Sequence, residues 1–180
     1  QMKDYIDLVI PRGGEALKEF LVENSLIPVL YAAGGNCHVY VDATAGAEKA
    51  VNIAVNAKVQ RPGVCNAAET LLIHNEVAPA VVPLAVRELV ARNVGLYACE
   101  RTRELLREQA AAVEPATEEH YATELLDLKM AIRVVDSIDE AIEHIDQYGT
   151  GHSEAIVTED LGSARAFCDR IDAACVYVNA

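Results

Sequence analysis

No stretch of about 18 consecutive apolar residues runs through this 180-residue sequence, so a membrane-spanning helix is not expected. The richest apolar run, Ala78 to Val86, is short and broken by Pro79 and Pro83. Cations are scarce: Lys and Arg total 15 against 28 Asp and Glu, for a net charge of −13. That excludes a broad phosphate-binding face for nucleic acid and a polybasic membrane anchor, both of which need clustered Lys and Arg. A few well-placed Arg or Lys residues can still hold a small anion. The N-terminus lacks a signal-peptide pattern, because Lys3, Asp4 and Asp7 interrupt any apolar segment. The cysteines (37, 65, 99, 168 and 175) form no C-x-x-C pair and no His/Cys cluster with zinc spacing, so no metal site is expected. An odd, scattered set predicts reduced thiols in the cytoplasm, most of them small buried apolar residues.

What the sequence does contain is an alternation of strand-like and helix-like segments. Strands are predicted over 5–10, 29–31, 37–41, 71–74, 94–98, 155–158 and 175–178. Apolar positions at helical spacing predict helices from Ala47, over 77–85 with a kink at Pro83, over 101–110 and over 161–171. Ser137 and Glu140 form a capping-box signature ahead of Ile138, Ala141, Ile142 and Ile145, and Gly149 and Gly151 end that helix. Residues 113–120 read as an exposed connection, and 126–135 as extended. Repeated strand–helix–strand order predicts a three-layer αβα domain with a largely parallel sheet. No internal repeat or low-complexity segment interrupts it. The chain opens on a strand-like stretch and stops just after another, and the expectation is a segment of a longer polypeptide.

Four loops carry candidate chemistry. In Gln60-Arg61-Pro62-Gly63-Val64-Cys65-Asn66, between a helix and a strand, Cys65 sits where α/β folds place reactive groups. Arg61 is positioned to lower a thiol pKa or to hold an anionic leaving group. Spacing alone leaves Cys65 open between a nucleophile and an inert buried thiol. Pro11-Arg12-Gly13-Gly14, between a strand and a helix, fits either a phosphate at a helix N-terminus or an ordinary tight turn. It is neither a G-x-G-x-x-G fingerprint nor a P-loop. Gly34-Gly35-Asn36-Cys37-His38 feeds a strand. His152, beside Gly149 and Gly151, is either a ligand contact or a hydrogen-bonded surface histidine.

Taken in order, Asp4 to Gly14, Gly35 to Asp42, Asn56 to Thr70, Tyr148 to Thr158 and Tyr177 to Ala180 resemble the gamma-glutamyl phosphate reductase family, the glutamate-5-semialdehyde dehydrogenases of proline biosynthesis. The likeness runs from end to end and is weakest between about residues 75 and 125. That family belongs to the aldehyde dehydrogenase superfamily. The resemblance implies an aldehyde-dehydrogenase-like catalytic domain over 27–180, entered from the tail end of a nicotinamide-binding domain over 1–26. It implies Cys65 as the nucleophile in NADPH-dependent reduction of L-glutamyl 5-phosphate through a thioester. NADP(H) is the implied cofactor, with Arg12, Gly13 and Gly14 as candidate contacts by analogy of position. Asn36, Arg61, Asn66 and His152 are the candidate substrate contacts. A homo-oligomer and a functional link to glutamate 5-kinase are further implications. Hydrolytic members carry a general-base Glu in a Glu-Leu-Gly-Gly segment where this chain reads Ala32-Ala33-Gly34-Gly35, so phosphate rather than water is the expected acyl acceptor.

Overall fold

The computed structural model describes residues 3–31 and 34–180. By its contacts the chain divides into two compact units, residues 1–34 and 35–180, and the expected boundary between 26 and 27 lies inside the first.

The first unit holds one helix, α1 (Glu15–Asn24), which follows the Pro-Arg-Gly-Gly turn with Gly14 at its N-cap. The predicted strands over 5–10 and 29–31 reduce to a single parallel bridge between Val9 and Val29. It is closed by Val9 N–H on Pro28 O and Leu30 N–H on Val9 O. Strand-forming side chains cannot make a ladder without a continuous backbone partner, and Pro28 interrupts the donor row.

The second unit is a seven-stranded sheet with every pairing parallel. Its strands are β1 (Cys37–Val41), β2 (Ala68–His74), β3 (Gly95–Ala98), β4 (Val113–Pro115), β5 (Lys129–Val135), β6 (Ser153–Val157) and β7 (Cys175–Val178), in the spatial order β4-β3-β5-β2-β1-β6-β7. Parallel neighbours need crossovers, which α2 (Ala47–Val59), α3 (Ala78–Val90), α4 (Glu100–Leu106), α6 (Ile138–Tyr148) and α7 (Leu161–Arg170) help supply. The period-two alternation of the strands sorts the core into two layers. Val39, Val41, Leu71, Ile73, Met130 and Ile132 pack with Val51, Ala54, Val82 and Val86 of α2 and α3. Tyr40, Leu72, Val135 and Ile156 pack with Ile142 and Ile145 of α6 and Phe167 of α7. The three-layer αβα architecture follows, with central strands buried on both faces as a parallel sheet requires.

Three local readings change. The connection expected over 113–120 contains β4, an edge strand on β3, and the short helix α5 (Glu118–Ala122). The helix predicted over 101–110 ends at Leu106 and passes into a 3-10 turn over Arg107–Ala112. The capping box of α6 is half formed. Ser137 Oγ accepts from Glu140 N–H at 3.1 Å, but the Glu140 carboxylate turns to Asp136 N–H at 2.7 Å and to Arg133 at 3.2 Å. Among the described residues no helix is long and apolar enough to cross a membrane.

Candidate active site around Cys65

Parallel pairing sets Cys37 of β1 beside Ala68 of β2, and Ser153 of β6 beside Cys175 of β7. The loops that enter these strands therefore gather at one edge of the sheet, and the loop carrying Cys65 is among them. Pro62 follows the C-cap of α2 and ends the helix. Two tight turns then carry the chain to β2: Val64 N–H donates to Arg61 O at 3.4 Å, and Ala67 N–H to Val64 O at 3.0 Å. Cys65 and Asn66 are the central residues of the second turn, and both are exposed.

The main chain of this loop is held from two sides. A Cβ built on Gly35 falls onto the carbonyl oxygen of Cys65, 2.5 Å from its carbonyl carbon and 2.9 Å from its Cα. Only a residue without a side chain permits that approach. Cys37, 3 % exposed, donates its thiol proton to the same carbonyl at 3.2 Å. Burial, aided by the charge of Glu154, pushes the Cys37 thiol up to about 12, so it remains a protonated donor at neutral pH. On the other side lies a buried ion pair. Lys58, from the last turn of α2, meets Glu69 of β2 at 2.8 Å with both side chains wholly buried. The pairing of β1 with β2 passes from Cys37–Ala68 to His38–Thr70, which leaves Glu69 as an extra residue turned out of the ladder. Burial raises the Glu69 carboxyl, opposed by Lys58 and by Leu126 N–H, which donates to it at 3.1 Å.

Beside the loop is a cavity of about 560 Å³ whose lining includes Arg61, Val64 and Asn66 of the loop, Asn52 and Asn56 of α2, and Gln60 at the helix C-cap. His38, Ser153, Glu154 and Tyr177 add to its polar lining; Cys65 itself is not part of the lining. Arg61 is exposed and makes no ion pair with a described residue, so its guanidinium is available to an anion. Of the candidate substrate contacts, Arg61 and Asn66 thus meet at one cavity, and Asn36 and His152 do not. Asn36 is buried, its amide donating to Tyr121 O at 2.7 Å and Tyr148 O at 2.8 Å, while its N–H donates to Thr150 Oγ at 3.0 Å. It ties β1 to α5 and the end of α6. His152 is half-buried, with Nδ1 2.9 Å from Ser153 Oγ, one residue from the cavity wall.

Sequence reasoning missed Gly35 and Cys37 as supports of the loop, and Asn52 with the rest of the amide row. The second had a signal: Asn52, Asn56 and the C-cap Gln60 recur at fourfold spacing along a helix whose other face is apolar. The segment compared with Glu-Leu-Gly-Gly includes Ala32 and Ala33, which lie outside the described residues. Among the described residues no group of His, Cys, Asp and Glu is arranged to hold a metal ion. In the first unit, Arg12, Gly13 and Gly14 are exposed at the start of α1, and nothing stands within 4 Å of where a Gly14 Cβ would be.

No protein-family profile matches the chain. The chain is 53% identical over 179 residues to a gamma-glutamyl phosphate reductase of Heliobacterium modesticaldum, a span of 99% of this chain and 42% of that protein. The crystal structure of gamma-glutamyl phosphate reductase from Thermotoga maritima superimposes with a TM-score of 0.91 at 50% identity, over 100% of this chain and 42% of that one. An acetylating aldehyde dehydrogenase from Geobacillus thermoglucosidasius shares the fold, with a TM-score of 0.73 at 20% identity over 97% of this chain. The chain is therefore similar to gamma-glutamyl phosphate reductases over its whole length, and it spans less than half the length of these relatives.

Proposed function

We propose that this chain is the cysteine-bearing part of a gamma-glutamyl phosphate reductase, reducing L-glutamyl 5-phosphate to L-glutamate 5-semialdehyde and phosphate. The observation that carries the reading is the exposed Cys65, held by its main chain on a turn beside a cavity that also presents Arg61, unpaired among the described residues. The Cys65 thiolate attacks the acyl carbon of the acyl phosphate. A carbon–sulfur bond forms, the carbon–oxygen bond to phosphate breaks, and phosphate leaves with its electron pair, giving a thioester. Arg61 is suited to hold the departing phosphate through paired N–H donors. The central amides of the turn, Cys65 N–H and Asn66 N–H, find no acceptor among the described residues and are suited to the oxyanion that develops at the carbonyl. Thiolate is both nucleophilic near neutral pH and a good leaving group when the aldehyde departs.

A nicotinamide cofactor, when bound, supplies the hydride that takes the thioester to the aldehyde level. Arg12, Gly13 and Gly14 fit one phosphate of it, since the N-terminus of the ten-residue α1 is open and an arginine adjoins it. NADP(H) over NAD(H), assembly of the enzyme as a homo-oligomer and a cytoplasmic site of action follow from the resemblance. An acyl phosphate substrate must be supplied by a carboxylate kinase, which is the sense of the link to glutamate 5-kinase.

Three carboxylates lie at the loop and its cavity: Glu69 is engaged by Lys58 and Leu126 N–H, Glu124 by Gly35 N–H at 2.6 Å, and Glu154, in the cavity wall, accepts from His38 N–H at 2.8 Å through one oxygen while its other oxygen has no partner among the described residues. Phosphate as acyl acceptor in the oxidative direction follows from the resemblance. The test is NADP⁺ reduction by glutamate 5-semialdehyde in the intact enzyme, with and without phosphate, beside Cys65→Ser. Turnover that requires phosphate and vanishes in the variant is expected. Turnover at full rate without phosphate would point to a hydrolytic aldehyde dehydrogenase instead, and turnover that appears only when CoA is added to a CoA-acylating one.

A further inference from the structure

Cys37 is buried, protonated and aimed at the main chain of another cysteine, and the acyl-transfer scheme uses none of its chemistry. Its Sγ lies 3.2 Å from the Cys65 carbonyl oxygen, the atom that Gly35 also approaches. A peptide unit is planar and trans, so the Cys65 carbonyl and the Asn66 N–H point in opposite directions. Fixing that carbonyl against β1 therefore fixes the Asn66 N–H outward, away from Cys37, and limits how the Cys65 backbone can turn.

We propose that Cys37 is a positioning residue for the nucleophile, its thiol proton pinning the Cys65 carbonyl so that the Cys65 side chain and the Asn66 N–H keep one orientation toward the acyl group. The proposal rests on Cys65 being the nucleophile. No covalent step is assigned to Cys37: its role needs the proton to stay on sulfur. Gly35 supplies the space and Cys37 the directional contact. The rest of the support is rigid, because Asn36, between them, is tied by two hydrogen bonds to α5 and α6 and by a third to Thr150 just past α6.

The distinguishing experiment compares Cys37→Ser, which keeps a donor, with Cys37→Ala, which removes it, in the intact enzyme. With the alanine, kcat is expected to fall about five- to tenfold with KM within about twofold, the loss of one modest hydrogen bond expressed at the reacting centre. Amide hydrogen exchange over residues 62–68 should quicken about tenfold in the same variant. Serine should restore both to within about twofold. Equal loss in serine and alanine, or wild-type kcat and exchange in alanine, would overturn the proposal. Exchange over 62–68 is read without turnover, so it separates this idea from the one beneath it. If Cys65→Ser retains activity, the nucleophile reading has failed whatever Cys37 does.

Discussion

The most pH-sensitive element of the core is His144, on α6. It is 3 % exposed and packs among aromatic rings, with centroids 4.6 Å from Tyr148, 5.1 Å from Tyr121 and 5.4 Å from His38. Among the described residues neither of its ring nitrogens has a hydrogen-bond partner. Burial, with smaller contributions from the neighbouring His38 and Arg133, brings its pKa from 6.5 down to about 3. Below pH 6.5 the unfolded chain therefore takes up a proton at this residue, while the folded chain does not until about pH 3. Stability falls as pH drops through that window, by about 1.4 kcal/mol per unit. Between pH 7.5 and 4.5 the loss from His144 alone is about 2–3 kcal/mol. A phenylalanine of similar shape cannot take the proton. Urea unfolding of wild type and His144→Phe at both pH values isolates the effect, because all other titrating groups are common to the two. The wild type should lose about 2–3 kcal/mol more than the variant on acidification. Equal losses would show that His144 is not held neutral by its surroundings.

Lys58→Met leaves the Glu69 carboxylate buried without its cation and should cost about 3–5 kcal/mol in a denaturant titration. Gly35→Ala forces the Cys65 carbonyl aside, and kcat of the intact enzyme should fall about a hundredfold, as expected of a displacement near 1 Å at the nucleophile. Ser137→Ala removes the acceptor for Glu140 N–H at the start of α6 and should lower stability by about 1 kcal/mol. None of these should alter the far-ultraviolet circular dichroism of the folded state.

Periodicity made the core elements legible. The spacing of Ile138, Ala141, Ile142 and Ile145 placed α6, and the β-branched and aromatic residues from Cys37 to Val41 placed the inner strand β1. Strand β4 escaped because three residues ending in Pro115 carry no period; their identity as a strand comes from β3 alongside. In residues 5–10 the opposite happened, with strand-like composition but only the bridge at Val9. The Cys65 loop was recognisable from its own residues and from the family likeness. Its supports were not. Cys37 and Gly35 meet Cys65 across 28 and 30 positions of sequence, through a register that is set only when β1 and β2 pair. Asn36, an attractive polar candidate on paper, is spent on backbone carbonyls of α5 and α6.

The central claim is that Cys65 carries the acyl group. The most direct measurement mixes the intact enzyme with glutamate 5-semialdehyde and NADP⁺ in the absence of phosphate, then follows NADPH and maps the peptides by mass spectrometry. With no acceptor for the thioester, one NADPH should form per active site in a single burst, and the peptide containing Cys65 should carry a glutamyl group. Sustained turnover under these conditions, or a glutamyl group on any other residue, would contradict the account.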